Sequence, residues 1–300
     1  MKNVAVIANP HAGTGRGRLA LDDAVFLLDK AGFSAHALPT ERPGHATELA
    51  RQAALDHDLV VAVGGDGTVH ETAKGLAGTA CPMGVLPSGS GNDFAMGIGC
   101  PTVTLGMKAI SAGHIQSFDT GLLNDRFFVN SVGLLASGLV SLRAASLWRW
   151  LGRRRYLVAS LGTLLKYRGQ NVTWEWEGPA GPEKVADRFL LAEICNGTTT
   201  GGGFRFTPDA LFDDGLLDAC LIRPVGLWTA LRLLGPASRG EKLEHEAINL
   251  VRTGSIRFTC SEAVGYHCDG EPGMLPAGEH LLSLQPGNLK VLTLEGGQSV

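Results

Sequence analysis

Hydrophobic and polar positions alternate with two different periods along the first third of the chain. Four short runs predict strands: "NVAVIA", which is apolar and expected to be buried, then "FSAHAL", "DLVVAV" and "MGVLP". Three longer segments repeat apolar residues at helical spacing: "RLALDDAVFLLDKAG", "HATELARQAALDH" and "TVHETAKGLAG". Strands separated by helices favour parallel pairing through right-handed crossovers. We therefore expect residues 1–118 to form an open α/β domain.

The pattern changes near Phe118. Strand-like runs separated by turn residues follow: "DRFFVNSVG", "VTWEWEG", "RFLLAEICNG", "GLLDACLI", "SIRFTC" and "HLLSLQP". One helical stretch, from about Leu134 to Tyr167, interrupts them. This pattern favours a mostly antiparallel β-sandwich or barrel over residues 119–300. Whether the last strand returns to the first domain stays open.

Composition narrows the class of protein. Of 300 residues, 44% are hydrophobic and 18% charged, which suits two packed cores and argues against disorder. A formal net charge of −3 argues against a nucleic-acid partner. The cysteines form no CxxC pair and no zinc-type cluster, so we expect reduced thiols. Because no apolar run is long enough to span a bilayer, we expect a soluble, cytoplasmic protein that contacts a membrane only peripherally.

Three glycine-rich turns follow predicted strands: "NPHAGTGRG", "GGDGT" and "PSGSGNDFA". Glycine lets backbone N–H groups approach an anion, and each turn leads into a helix whose N-terminus favours phosphate. One such turn alone fits a tight strand-to-helix connection, but three at one sheet edge predict a polyphosphate site. Asp66 would repel a phosphate unless Mg²⁺ lay between them. A nucleoside triphosphate with Mg²⁺ is the simplest ligand that explains both features.

Five stretches occur in a fixed order across nearly the whole chain: "NPHAG", "GGDGT", "PSGSGNDFA", "LFDDGLLD" and "DGEP". Together they resemble the bacterial lipid kinases with a diacylglycerol kinase catalytic domain, which include soluble diacylglycerol and phosphatidylglycerol kinases. The "GGDGT" loop by itself is also similar to loops of phosphofructokinases and NAD kinases. The resemblance implies a phosphofructokinase- or NAD kinase-like nucleotide domain and a β-sandwich lipid domain. It further implies that the γ-phosphate of ATP is transferred to a lipid hydroxyl.

The resemblance also assigns residues to roles. The implied nucleotide-binding residues are Asn9, Pro10, Gly13, Thr40, Gly64, Gly65, Asp66, Gly67, Thr68, Val69, His70 and Ser90. The implied catalytic residues are Glu271, as the proton acceptor, with Asp66, Asp119 and Lys166. The implied ligands of a structural Mg²⁺ are the carbonyls of Leu211 and Leu216 and the side chain of Asp214.

Some of these positions have other interpretations. Asp269, beside Glu271, is expected to hold the turn or a metal network, although an Asp-Gly hairpin turn would give the same pattern. From spacing alone, the acidic turn at Asp214 is equally a solvated turn. Some relatives have a lysine directly after the first-loop glycine, where this chain has Thr14. Whether Arg16 or Arg18 supplies that charge is open.

The expected partner is a lipid substrate at a membrane surface. The segment "LWRWLGRRRYL" mixes tryptophans with arginines, which suits an anionic bilayer and equally suits an ordinary amphipathic helix. Two other functions stay open: an NAD kinase-like enzyme with a soluble substrate, and a nucleotide- or lipid-binding module without catalysis. The sequence decides neither the lipid nor whether the protein forms a homodimer.

Overall fold

The computed structural model describes residues 2–12, 16–147 and 154–295. It divides into two units: Met1–Thr120 with Pro286–Val300, and Gly121–Gln285. The predicted nucleotide-binding residue Gly13 lies outside the described residues, and so does most of the Trp/Arg segment, residues 148–153.

The first unit contains a parallel sheet in the strand order β2-β1-β3-β4. Its strands are β1 (Asn3–Ala8), β2 (Ser34–Pro39), β3 (Leu59–Gly64) and β4 (Met83–Pro87). Its helices are α1 (Arg16–Lys30), α2 (His45–Ala53), α3 (Asp66–Leu76), α4 (Asp93–Gly97) and α5 (Val103–Ala112). Apolar side chains of β1, β3 and α1 fill the core, among them Val6, Val61 and Leu28. The predicted open α/β fold is confirmed.

Two long strands contain residues of both units. They are β5 (His114–Leu123) and β16 (Gly278–Thr293). Within the first unit, the C-terminal part of β16 runs parallel to β4, with Val291 opposite Met83. The first unit is therefore completed by the last strand of the chain.

The second unit contains an antiparallel sheet in the order β12-β11-β10-β7-β14-β15. A second antiparallel layer is formed by β9, β8, β13 and the N-terminal part of β16. The bounds are β6 (Arg126–Phe128), β7 (Ser131–Leu135), β8 (Gln170–Gly178), β9 (Gly181–Phe189), β10 (Leu191–Cys195), β11 (Leu217–Ile222), β12 (Ile248–Thr253), β13 (Ser255–Cys260), β14 (Val264–Cys268) and β15 (Glu271–Leu275). Large buried side chains such as Trp174, Phe189 and Phe258 lie in one core. The predicted antiparallel β-sandwich is confirmed.

The helices of the second unit differ from the sequence prediction. They are α6 (Ala136–Ser146), α7 (Arg154–Lys166) and α8 (Leu227–Arg239). The predicted single helical stretch began too early, because Leu134 pairs with Ala192 and Tyr266 in the sheet. Helix α8 was not predicted, and Pro236 inside it is a residue that normally argues against a helix. Across the described chain, the structure contains no helix with both the length and the apolar character needed to cross a bilayer.

Candidate functional site

Glycine-rich loops of the first unit lie at the carboxyl ends of parallel strands. The "NPHAG" turn follows β1, the "GGDGT" loop follows β3, and the "PSGSGNDFA" loop follows β4. The strand order changes direction between β1 and β3, and such a switch point is where open α/β sheets bind ligands. Thr40 follows β2, is buried, and its N–H donates to the carbonyl of Ala8 (2.8 Å). The predicted nucleotide residues of these loops therefore share one sheet edge.

Asp66 joins the second and third loops. It is the first residue of α3, and its carboxylate accepts hydrogen bonds from the backbone N–H groups of Asn92 (2.8 Å) and Asp93 (2.7 Å). Asn92 adopts a left-handed conformation with φ 61°, which turns both N–H groups toward the acid. Hydrogen bonds to an ionised acceptor are stronger than neutral ones. Asp66 therefore sets the conformation of the third loop, a contact that sequence reasoning missed.

The glycines of these two loops make that approach possible. A Cβ added to Gly65 would lie 3.1 Å from the Cα of Gly89, and a Cβ added to Gly89 would overlap Gly65. A Cβ added to Gly91 would overlap the carboxylate of Asp66. The backbone of Gly65 is extended (φ −94°, ψ −170°), so space rather than backbone conformation requires glycine there. The loop glycines therefore act first by packing loop against loop.

The remaining predicted nucleotide-binding residues differ in how far their side chains are exposed to solvent. Ser90 is exposed on the third loop, whereas Val69 is buried in the core beneath α3. The N–H of Val69 donates to the carbonyl of Gly65 (3.1 Å) at the start of α3. In the first turn, the side chain of Asn9 accepts a hydrogen bond from the N–H of His11 (2.9 Å). A Cβ at Gly17 would overlap the carbonyl of Asn9, so the start of α1 packs directly on this turn.

The predicted catalytic residue Asp119 is buried in the first unit. Its carboxylate accepts a hydrogen bond from the N–H of Gly287 (2.8 Å). Beside it, the side-chain amide of Asn288 donates to the hydroxyl of Thr120 (2.8 Å). Asp119 therefore fixes the segment by which the chain re-enters this unit. Lys166, by contrast, is the exposed last residue of α7 in the second unit.

The "DGEP" turn of the second unit is anchored by Asp269. This residue has φ 49°, and its carboxylate accepts hydrogen bonds from the N–H groups of Val129 (2.8 Å), Asn130 (2.8 Å) and Ser131 (2.9 Å). Val129 and Asn130 separate β6 from β7, and Ser131 is the first residue of β7, so these bonds lie where the predicted single strand "DRFFVNSVG" is divided. Glu271 begins β15 and is exposed. Asp269 therefore holds the turn that presents Glu271.

A further glycine loop of the second unit, at "TTTGGGF", was not identified from the sequence. Gly201, Gly202 and Gly203 all have positive φ. The loop is tied to the segment that Asp269 holds, because Asn130 donates to the carbonyl of Thr199 (2.6 Å). The three consecutive glycines in the sequence could have predicted this loop.

At the predicted structural Mg²⁺ turn, Asp214 already has protein partners. One carboxylate oxygen accepts the N–H of Leu216 (2.9 Å), and the other forms an ion pair with Arg252. A nearby carboxyl, Asp218, lies 3.7 Å from the same guanidinium, and burial raises its pKa to about 6. Arg252 thus supplies positive charge where a cation was expected. The donor set does not favour Mg²⁺ while Arg252 is bound, and the metal assignment stays a prediction.

Comparisons with known proteins cover nearly the whole chain. A family model described as the diacylglycerol kinase catalytic domain matches residues 3–123, and one described as the YegS C-terminal NAD kinase beta sandwich-like domain matches residues 131–293. A diacylglycerol kinase of Bacillus subtilis (strain 168) is 29% identical over 93% of both chains. A diacylglycerol kinase of Staphylococcus epidermidis (strain ATCC 35984) is 30% identical over 92% of this chain and 88% of that protein.

Solved structures give the same result. A Bacillus anthracis str. Sterne protein assigned as a diacylglycerol kinase superposes with a TM-score of 0.80 at 25% identity, covering 98% of both chains. A second structure from that organism has a TM-score of 0.74 at 24% identity and covers 99% of this chain. The fold is therefore shared over its full length.

Proposed function

This chain belongs to the diacylglycerol kinase family, and on that premise we propose that it is an ATP-dependent lipid kinase acting on the hydroxyl of a diacylglycerol-like lipid. The family resemblance predicted from the sequence motifs is confirmed. The observation that carries the proposal is the match of both family domains, in order, around the glycine loops and the "DGEP" turn. Neither a soluble-substrate NAD kinase nor a non-catalytic module is favoured.

The loops of the first unit suit ATP phosphates. The "GGDGT" loop leads directly into the N-terminus of α3, where the first N–H groups of a helix and the helix dipole favour anions. Asp66 and Asp119 supply carboxylate oxygens, which are the hard ligands that Mg²⁺ prefers. We propose that these two carboxylates hold Mg²⁺. That ion would neutralise phosphate charge during transfer.

We assign proton acceptance to Glu271. As the lipid oxygen forms its bond to the γ-phosphorus, the bond from that phosphorus to the β-phosphate oxygen breaks, ADP leaves, and the hydroxyl proton passes to the Glu271 carboxylate. Exposure of Glu271 leaves it accessible to an acceptor. Asp269 keeps the turn rigid through its three backbone hydrogen bonds. Such preorganisation is the main contribution that a protein makes to phosphoryl transfer.

We also propose a peripheral membrane contact through α7. Val158, Leu161 and Leu165 are about half exposed and recur at helical spacing on one face. The sequence of this helix contains no acidic residue and ends with Lys166. Apolar side chains with basic neighbours suit an anionic bilayer surface. The Trp/Arg segment immediately precedes this face in the sequence.

Labelled ATP with a panel of acceptors tests the function. The panel contains vesicles with diacylglycerol, vesicles with phosphatidylglycerol alone, and soluble NAD. We expect labelled phosphatidic acid from the diacylglycerol vesicles. Phosphate on NAD, or no transfer to any lipid, would overturn the proposal. Label on phosphatidylglycerol alone would overturn the choice of diacylglycerol.

Glu271→Gln tests the base. General-base catalysis contributes about 10²–10⁴-fold, so we expect kcat to fall by that factor with ATP binding retained. Glu262→Gln, also at an exposed glutamate of the second unit, is the matched control and should leave kcat unchanged. Near-wild-type turnover of Glu271→Gln would exclude this residue as the base.

A further inference from the structure

A buried network of hydrogen-bonded polar side chains lies behind the turn that carries Glu271. It consists of Ser137, Glu193 and His267. The side chains of Glu193 and His267 are 3% and 6% exposed, so both are removed from water among the apolar residues of the second unit. Most polar groups in such a position have hydrogen-bond partners.

The sheet explains how these side chains meet. Glu193 on β10 and His267 on β14 both pair with Gly133 on β7, one from each side. A Cβ at Gly133 would overlap both the Nε2 of His267 and the Oγ of Ser137. The missing side chain therefore makes a polar space at the centre of the sheet.

Helix α6 supplies the third group. Its first turn lies against the backbone of β14, since a Cβ at Gly138 would overlap Gly265. Leu135, immediately before the helix, has φ 64°, a strained conformation for a branched residue. The strain and the glycine contact together place Ser137 above Gly133.

The hydrogen bonds that join His267, Ser137 and Glu193 are consistent with one direction of donation. The Nδ1 of His267 accepts the N–H of Gly270 (3.3 Å), so the proton of the neutral ring resides on Nε2. That Nε2–H donates to the Oγ of Ser137 (3.0 Å), and the Ser137 hydroxyl donates to the carboxylate of Glu193. This series of hydrogen bonds thus ends at the N–H of Gly270, the residue directly before Glu271.

We propose that His267 is a positioning residue for Glu271, and that Ser137 and Glu193 fix the tautomer in which His267 accepts the Gly270 N–H. The inference rests on the proposed function, because it concerns the same proton transfer. Burial lowers the pKa of His267 to about 4, against a smaller opposing effect of Asp269, so the ring is neutral near pH 7. A ring with its proton on Nδ1 would face the Gly270 N–H donor to donor, so the turn would lose this hydrogen bond, the one next to Glu271, and keep those that Asp269 accepts.

Two substitutions at His267 separate positioning from packing. Asn places a side-chain acceptor near the position of Nδ1, whereas Gln reaches the position of Nε2. Each removes one hydrogen bond of the buried network, so we expect similar losses of Tm. We expect His267→Asn to retain most of kcat and His267→Gln to lower it by about tenfold or more, because small displacements of a catalytic group have large effects. The KM for ATP should change in neither variant.

Ser137→Ala completes the test as a double-mutant cycle. We expect it to lower kcat in the wild-type background and to have no further effect beside His267→Asn, in which no tautomer remains to be fixed. Equal kcat in the Asn and Gln variants, or an equal effect of Ser137→Ala in both backgrounds, would overturn the inference. Wild-type turnover in the same assay reports the proposed function separately, since its absence would reject the kinase rather than the role of His267.

Discussion

The bridge between Asp66 and the third loop yields a quantitative prediction for Asp66→Asn. The carboxylate accepts two backbone N–H groups, but asparagine has one acceptor oxygen and an NH₂ group. One hydrogen bond to a charged acceptor is therefore lost and one N–H is left facing a donor. Such a bond contributes about 1.5–3 kcal/mol. If binding must reorder the loop, a loss of about 2 kcal/mol weakens ATP binding by roughly 30-fold.

Titration calorimetry with ATP, at saturating and at limiting Mg²⁺, measures this effect. The loop bridge predicts a loss at both concentrations, and the additional role of Asp66 toward Mg²⁺ predicts a larger loss when the ion is limiting. Asp22→Asn, on the exposed face of α1, is the matched control and should bind ATP as the wild type does. Wild-type affinity of Asp66→Asn at both concentrations would refute the reasoning.

A second variant breaks the same bridge without removing charge. Gly91→Ala would place a Cβ on the carboxylate of Asp66, so we expect a loss of ATP affinity close to that of Asp66→Asn. Gly162→Ala is its control, because a Cβ at that helical position meets nothing within 4 Å. A normal affinity of Gly91→Ala would show that the loop tolerates separation from α3.

Three further predictions concern metal, pH and membrane. If Asp214 holds a structural Mg²⁺, the Tm of the wild type should rise with Mg²⁺ and that of Asp214→Asn should not; equal responses in a melting series would exclude the metal. Burial raises the pKa of Asp218 to about 6, above its ordinary 3.8, so the folded state binds the proton more tightly than the unfolded chain. The contribution of Asp218 to the free energy of unfolding should therefore fall as pH rises from about 4 to 6, whereas that of His267, whose pKa is lowered to about 4, should rise over the same range. Urea titrations should therefore show the stability of Asp218→Asn relative to the wild type rising from pH 4 to 6, and a difference that does not change with pH would exclude Asp218 as a titrating group. Replacing Arg153, Arg154 and Arg155 together by Gln should weaken binding to anionic vesicles, measured by sedimentation, by a few kcal/mol at most, since each basic residue contributes about 1 kcal/mol and salt screens the attraction. If the triple variant binds as the wild type does, these arginines do not contribute to vesicle binding.

Local patterns were sufficient to predict the α/β unit. Each of the four predicted runs is a strand of the structure. Buried parallel strands are mostly apolar, as β1, β3 and β4 are, whereas β2 is partly exposed and was predicted by its place between two helices. The glycine loops could also be predicted from the sequence, because each follows a predicted strand. The roles of individual loop residues were not readable in the same way. Asp66 and Asn92 are 26 residues apart, and only the parallel order of β3 and β4 brings them together.

The second unit shows why register cannot be read from composition. Gly133, Glu193 and His267 have no shared motif, and they meet only because three strands pair in one register. A shift of one residue would turn each side chain to the opposite face of the sheet. Helix α8 was missed for a different reason, since Gly235 and Pro236 oppose helix formation locally, yet the helix continues to Arg239 with Ala237 in a buried cluster.

The return of β16 to the first unit has a consequence for biosynthesis. Residues 121–285 leave the ribosome before the strand that pairs with Met83 and before the Gly287 N–H that Asp119 binds. The first unit therefore stays incomplete until residues 286–295 have been synthesised, with the edge of β4 open to aggregation in the nascent chain. A fragment cut at Thr120 would keep that defect permanently. Separate expression of this unit requires residues 286–295 to be joined back to it, for example by a circular permutation.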